Sequence, residues 1–209
     1  MLLSGAIRSR SAANIALLLL ALINLLVLPG CWVNSINGLS EAKYLGSDKD
    51  QAFDPILSGA WTKTNTDEED DCAITLNVTA EDKEYHWKVT GKGRDCSGNK
   101  DDYYEAELFK LGDHEFLDMT ARATDVCSAC IAVHWIFKVD AEKDSFTLSV
   151  IDSDWLDDAE SNNVTDLGPA RGDRDMLTAS PKELKDFCRK YADDEDVFKP
   201  AFIFDRKQP

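Results

Sequence analysis

The sequence predicts a mainly β protein, an antiparallel up-and-down β-barrel with a C-terminal helix and a closing strand. Short segments between residues 56 and 151 alternate apolar and polar residues, and a period of two is typical of strands with one buried face. Charged or glycine-containing turns separate these segments, which indicates that neighbouring strands form hairpins. Closure of such a meander into a barrel would remove the exposed edges that an open sheet leaves.

The strands can be placed in order along the chain. The first begins in the segment Ile56–Trp61, and three hairpins follow, with turns near residues 81–83, 112–114 and 140–144. The alternation predicts strands over residues 72–79, 85–89, 103–111, 115–120, 131–139 and 145–151.

The last quarter of the chain changes character. Residues 152–160 fit one short helix, and residues 176–178 fit a brief strand. Ser180-Pro181-Lys182-Glu183 places a capping hydroxyl before a proline at the first helical position and a glutamate at the third. This pattern predicts a helix that runs to about Ala192, and Ala201–Asp205 is then expected as the closing strand.

The N-terminus is typical of an export signal. Arg8 and Arg10 precede an apolar run from Ile15 to Leu28, which is too short for a bilayer span of about 20 residues. The run ends in Leu28-Pro29-Gly30-Cys31, which resembles the lipobox of bacterial lipoproteins. The resemblance implies that the signal is cut off before Cys31 and that this cysteine is diacylated. It also implies a location in the bacterial cell envelope, anchored by lipid, on the periplasmic side of the outer membrane if the cell is Gram-negative.

These observations predict three regions of the chain. Residues 1–30 form a lipoprotein signal peptide, residues 31–55 a lipidated N-terminus and polar tether, and residues 56–209 the β-barrel domain.

Composition excludes several classes of protein. The formal net charge is −16, and removal of Arg8 and Arg10 with the signal would make it more negative, so nucleic acid is an unsuitable partner. Membrane attachment would have to come from lipid, because the chain has no polybasic surface. A hydrophobic content of 44%, with five Trp and nine Phe, is enough for a core and excludes global disorder.

Gly59-Ala60-Trp61 on the first predicted strand resembles the Gly-x-Trp signature of lipocalins, a calycin-type family of barrels. The resemblance implies that Trp61 packs across the closed end of the barrel. A basic residue on a late strand usually stacks on that Trp, and Arg206 is the corresponding candidate here. The family further implies a bound lipid or other small hydrophobic ligand, although its second and third motifs are not evident in this sequence.

Six cysteines in an exported chain permit disulfides. Cys127 and Cys130 have Cys-x-x-Cys spacing, but they precede a strand, and the adjacent Asp125 would oppose thiolate formation. We expect them to be structural, as a disulfide or as loop thiols. The connectivity remains open, and a thiol-active role is the weaker alternative.

No catalytic, metal or cofactor motif is present in the sequence. His86, His114 and His134 fall on different predicted strands or turns, and His86 and His134 are expected at the surface. The acidic runs 67–71 and 152–158 lack the spacing of a calcium loop and are expected to be solvated. The chain is therefore expected to have no cofactor and no metal, and not to be an enzyme.

Two functions remain open from the sequence. The first is a cell-envelope lipoprotein whose barrel binds a small apolar ligand. The second is a lipid-anchored protein-interaction module with a filled core and no ligand, because an eight-stranded barrel can be either filled or just wide enough for one ligand.

Overall fold

Eight antiparallel strands form a closed barrel in the computed structural model of the chain. The structure describes residues 33–40, 48–64, 73–92, 101–121, 133–162, 164, 167–170 and 173–207. The barrel strands are β3 (Gly59–Lys63), β4 (Ala73–Glu81), β5 (Glu84–Lys92), β6 (Asp101–Leu111), β7 (His114–Ala121), β8 (His134–Ala141), β9 (Ser145–Ile151) and β12 (Phe198–Arg206).

The strands pair in sequence order from β3 to β9, and β12 closes the ring between β9 and β3. On one side of β12 Phe204 lies opposite Phe146, and on the other Arg206 lies opposite Trp61. The predictions of an up-and-down barrel, of a helix after the barrel strands and of a closing strand are confirmed.

Tight turns set the register of two hairpins. Asp82 and Lys83 join β4 to β5 with φ of 48° and 73°, and Gly112 begins the turn from β6 to β7 with φ of 71°. Left-handed backbone in two-residue loops matches the right-handed twist of paired strands. These turns and the turn from β8 to β9 lie at one end of the barrel, which we call the base.

Two apolar clusters lie on opposite faces of the barrel wall. Alternate residues of each strand point inward, and their cross-strand pairs, such as Leu76 with Val89 and Leu117 with Phe137, belong to an inner core. The intervening residues Phe116 and Ile136 belong to an outer core, together with buried residues of the two helices. Both faces of β7 and β8 are therefore covered.

The helices cover the outer face. They are α1 (Ser153–Ser161) and α2 (Pro181–Tyr191), and Leu156, Leu184 and Phe187 are buried in the outer core. In α2 the Ser180 hydroxyl accepts from the backbone N–H of Glu183, whose carboxylate accepts from the backbone N–H of Ser180. The predicted capping box is present. Among the described residues, no helix is long and apolar enough to cross a membrane.

The remaining strands are short and extend the sheet beyond the barrel. They are β1 (Asn34–Ser35), β2 (Gln51–Ala52), β10 (Pro169–Ala170) and β11 (Asp173–Leu177). A 3-10 helix, Pro55–Leu57, leads into β3.

The structure corrects the predicted tether wherever residues 31–55 are described. β1 pairs with β8 and β11, and β2 pairs with β6. Leu39, which lies between β1 and β2 in the sequence, is fully buried. Polar side chains that indicated a tether instead make hydrogen bonds to the rest of the domain. Asn37, for example, donates from its side chain to the carbonyl of Ala179 at 3.0 Å.

An ion-pair cluster holds the same segment against α2. The buried Lys185 ammonium donates to Asp48 at 2.7 Å and to Asp50 at 3.0 Å, and Arg189 also contacts Asp50 at 2.9 Å. These contacts join residues far apart in sequence, so the pattern of charges along the chain did not reveal them.

Candidate functional site

The base of the barrel is closed by a stacked pair. Trp61 is completely buried, and its indole N–H donates to the carbonyl of Leu57 at 3.0 Å. The guanidinium carbon of Arg206 lies 4.0 Å from the centre of the Trp61 ring, a cation–π contact. Arg206 also donates to the carbonyls of Ser58 at 3.2 Å and Ile56 at 2.8 Å. The three residues 56–58 are thereby tied to the closing strand.

Gly59 leaves the space that this arrangement needs. Its φ is +136°, and a Cβ added there would lie 2.8 Å from Nη1 of Arg206. Any other residue at this position would be strained and would displace the guanidinium. The structure thus brings Gly59, Trp61 and Arg206 together at the base.

Tyr85 completes the closure. Its hydroxyl accepts from the backbone N–H of Asp54 at 2.7 Å and donates to the carbonyl of the same residue at 3.0 Å. Burial raises the pKa of Tyr85 to about 12. The Phe53 ring stacks on it with centroids 5.5 Å apart. The polar groups of Trp61 and Tyr85 are both satisfied, as expected of a structural plug.

Trp87 lies above this plug in the inner core and differs from its neighbours. The residue is 2% exposed, and the Phe146 ring meets it edge-on at a centroid distance of 5.9 Å. Its indole nitrogen is buried and has no hydrogen-bond partner. A buried donor without an acceptor is unusual in a folded protein.

The end opposite the base carries half-buried apolar side chains on the inward face of the strands. We call these the mouth residues: Ile74, Val89, Tyr104, Trp135 and Phe202. The rings of Tyr104 and Trp135 pack edge-on at 5.8 Å. Burial raises the pKa of Tyr104. The connections between strands at this end contain residues 65–72, 93–100 and 122–132, which lie outside the described part of the chain.

A polar cleft of about 500 Å³ lies at the base end, on the turn side of β6 to β9. Its lining is Lys110, Asp113, His114, Glu115, Val139, Asp140, Ala141, Glu142, Ser145 and Thr147. Burial raises the pKa of Glu115, and the negative charge of Asp54 adds to the effect. The cleft is open and charged, and within the described ranges no group of His, Cys, Asp and Glu could hold a metal ion.

The outer face holds a buried charged pair. Asp118 accepts from Nδ1 of His134 at 2.6 Å and from the backbone N–H of Leu39 at 2.7 Å. His134 is only 8% exposed, so its predicted surface position is wrong. The alternation along β8 assigned it correctly to the outward face, but residues 33–40 cover that face.

Several predicted sites lie outside the described residues. They are the lipid-attachment residue Cys31 and the pair Cys127 and Cys130, and these predictions stay predictions. Cys188 is described; it is free and fully enclosed by α2 and the outer core, and burial raises the pKa of its thiol. A raised pKa suppresses thiolate chemistry.

The acidic run 152–158 is part of α1. Asp152 is its N-cap and accepts from the backbone N–H of Trp155 at 2.8 Å. Its carboxylate also pairs with Lys199 at 2.8 Å. This carboxylate therefore has a structural role at a helix terminus.

The resemblance to lipocalins identified the base residues, but no feature of the sequence singles out Trp87 or the mouth residues. The alternation assigns each to the inward face, yet it does not show which indole lacks an acceptor or which side chains remain half exposed. Comparisons with protein-family models, with curated proteins and with solved structures each found no match.

Proposed function

We propose that the chain is a lipid-anchored protein of the bacterial cell envelope whose lipocalin-like barrel binds one small apolar molecule through its mouth. The base is closed by Trp61 and Arg206, so the opposite end is the side from which a ligand reaches the inner core. The role is binding rather than catalysis.

The observation that carries this proposal is the contrast between the two ends of one barrel. At the base the large inward side chains Trp61, Tyr85 and Phe146 are buried, and the polar groups of Trp61 and Tyr85 are satisfied. At the other end five neighbouring inward side chains, the mouth residues, are apolar or aromatic and only half buried. Apolar and aromatic linings with few polar groups are typical of small-molecule sites, which occur in the mouths of β-barrels. Covering these side chains would remove apolar area from water, which is favourable.

Anchoring by lipid supports the same function. The Leu28-Pro29-Gly30-Cys31 sequence resembles a lipobox, and an acyl-anchored barrel would work beside a membrane, where apolar molecules are concentrated. The acidic surface supplies solubility without attraction to anionic headgroups.

Binding of N-phenyl-naphthylamine, a probe whose fluorescence rises in apolar surroundings, tests the proposal. The wild-type chain is expected to bind it saturably, and Phe202→Gln is expected to weaken binding about tenfold by removing apolar contact at the mouth. The matched control is Ile203→Gln, because Ile203 is the next residue of β12 and faces outward with 37% exposure. Equal binding by the two variants would place the probe elsewhere on the protein and would contradict the proposal.

A filled interior favours the alternative of a ligand-free interaction module. The inner core contains the large side chains Trp61, Tyr85, Trp87, Phe137, Phe146 and Phe204. An eight-stranded barrel is just wide enough for side chains to fill it or to hold one small ligand. Absence of saturable probe binding to the wild-type chain would favour this alternative.

A further inference from the structure

One inward side chain of the barrel carries a hydrogen-bond donor that the fold leaves unused. Trp87 lies in the middle of β5, opposite Val78 on β4 and Tyr104 on β6. It is 2% exposed, and its indole N–H has no acceptor. In the unfolded chain this N–H donates a hydrogen bond to water. Folding removes that bond and supplies no protein acceptor in its place, which lowers the stability of the folded state.

Two other buried aromatic residues of the described barrel have their polar groups satisfied. The indole of Trp61 donates to Leu57, and the hydroxyl of Tyr85 is paired with Asp54. Trp61 and Tyr85 belong to the base, whereas Trp87 lies directly opposite the mouth residue Tyr104 on β6. The unpaired donor therefore adjoins the mouth, the side from which the proposed ligand would enter.

The surroundings define the acceptor that this donor would take. The buried side chains of the inner core are all hydrophobic or aromatic, and none of those described is cationic. A carboxylate or phosphate placed beside Trp87 would lose its hydration without a counter-charge, which is strongly unfavourable. A neutral carbonyl oxygen needs only one donor and loses less on leaving water.

We propose that Trp87 is a specificity-determining residue whose indole N–H donates a hydrogen bond to a neutral carbonyl oxygen, such as that of an ester or ketone, on an otherwise apolar ligand. The inference rests on the proposed binding function and narrows its ligand class. Free fatty acids in their ionised form and pure hydrocarbons are expected to bind less well than neutral acyl compounds.

A matched pair of probes isolates the hydrogen bond. Methyl nonyl ketone has a carbonyl oxygen, and the alkene in which a methylene group replaces that oxygen has nearly the same shape and no acceptor. The full-length exported chain in lipid nanodiscs is titrated with each, and the indole N–H signals of its five tryptophans are followed by NMR. The signal that disappears in Trp87→Phe identifies Trp87.

We expect the ketone to move the Trp87 N–H signal downfield and the alkene to leave its proton shift nearly unchanged. The wild-type chain should bind the ketone about three- to tenfold more tightly than the alkene, and Trp87→Phe should remove this preference. Phenylalanine keeps an aromatic ring at the position, and unchanged signals from the other indoles show that the variant is folded. Trp135→Phe is the control and should change the affinity for both probes by the same factor.

The possible failures are distinguishable. If both probes bind saturably but with equal affinity, or if Trp87→Phe keeps the preference for the ketone, Trp87 does not recognise a carbonyl, and the binding function stands. A Trp87 N–H signal that keeps its proton shift throughout the ketone titration leads to the same conclusion. If neither probe changes any indole signal of the wild-type chain, both the inference and the proposed function fail.

Discussion

Replacement of Trp61 by alanine should remove the plug at the base of the barrel. The side chain is 0% exposed and contacts the Phe146 ring edge-on with centroids 4.8 Å apart. Truncation of a buried Trp costs about 3–5 kcal/mol through lost transfer free energy and the cavity that remains. Two specific contacts add to this, because the indole donates to Leu57 and its face stacks on Arg206. We therefore expect a free energy of unfolding lower by about 4–5 kcal/mol.

Equilibrium unfolding in urea under non-reducing conditions measures this loss. With a slope of about 2 kcal/mol per molar of urea, the midpoint should fall by roughly 2 M. Trp61→Phe should have an intermediate effect, because it keeps a ring against Phe146 and loses the bond to Leu57. Asn77→Ala is the surface control, since Asn77 is exposed on the neighbouring β4 and surface changes are usually within about 0.5 kcal/mol. A midpoint for Trp61→Ala within that range of the wild type would refute the plug.

Three further predictions concern other parts of the chain. Lys185→Met should lower the free energy of unfolding by about 3–5 kcal/mol, because Asp48 and Asp50 would lose their buried counter-charge; an unchanged thermal midpoint would show that the cluster does not hold the N-terminal segment. Burial, with help from the charge of Asp118, raises the pKa of Glu107 above 4.5, so its contribution to stability is lost as the pH rises from 4.5 through the folded-state pKa. Glu107→Gln should make the free energy of unfolding fall less steeply over that interval, and an identical pH profile would contradict the assignment. Cys31→Ser should abolish acylation and release the folded domain from membranes, and retention of a signal-cleaved Ser variant on membranes would show that another element anchors it.

The strands were predictable because most inward residues are apolar and the hairpin turns are polar, so local pattern and final structure agree. The pairing of Trp61 with Arg206 came from the resemblance to lipocalins, and the closing strand places the two residues opposite each other. The alternation of apolar and polar residues thus predicts which strand residues face the interior of the barrel.

The sequence did not predict which segments pack on the outward face of the strands. Leu39 and Asp118 meet because a segment before the barrel packs across β7 and β8, and the contact joins residues that have no periodic relation. The polar residues near Asp48 indicated a tether because nothing close to them in the sequence could pair with them. The buried partner of Asp48 is Lys185, on a helix more than a hundred residues away. Nor does alternation show whether a buried indole finds an acceptor, and Trp87 therefore emerged only from the structure.

The most direct test of the binding function is mass spectrometry of the organic extract from the wild-type chain after its purification from the cell envelope. The proposed function predicts a non-covalently bound apolar molecule in near-stoichiometric amount, strongly depleted in Phe202→Gln and retained in Ile203→Gln. An extract with no such molecule, or with the same molecules in equal amounts from both variants, would contradict it.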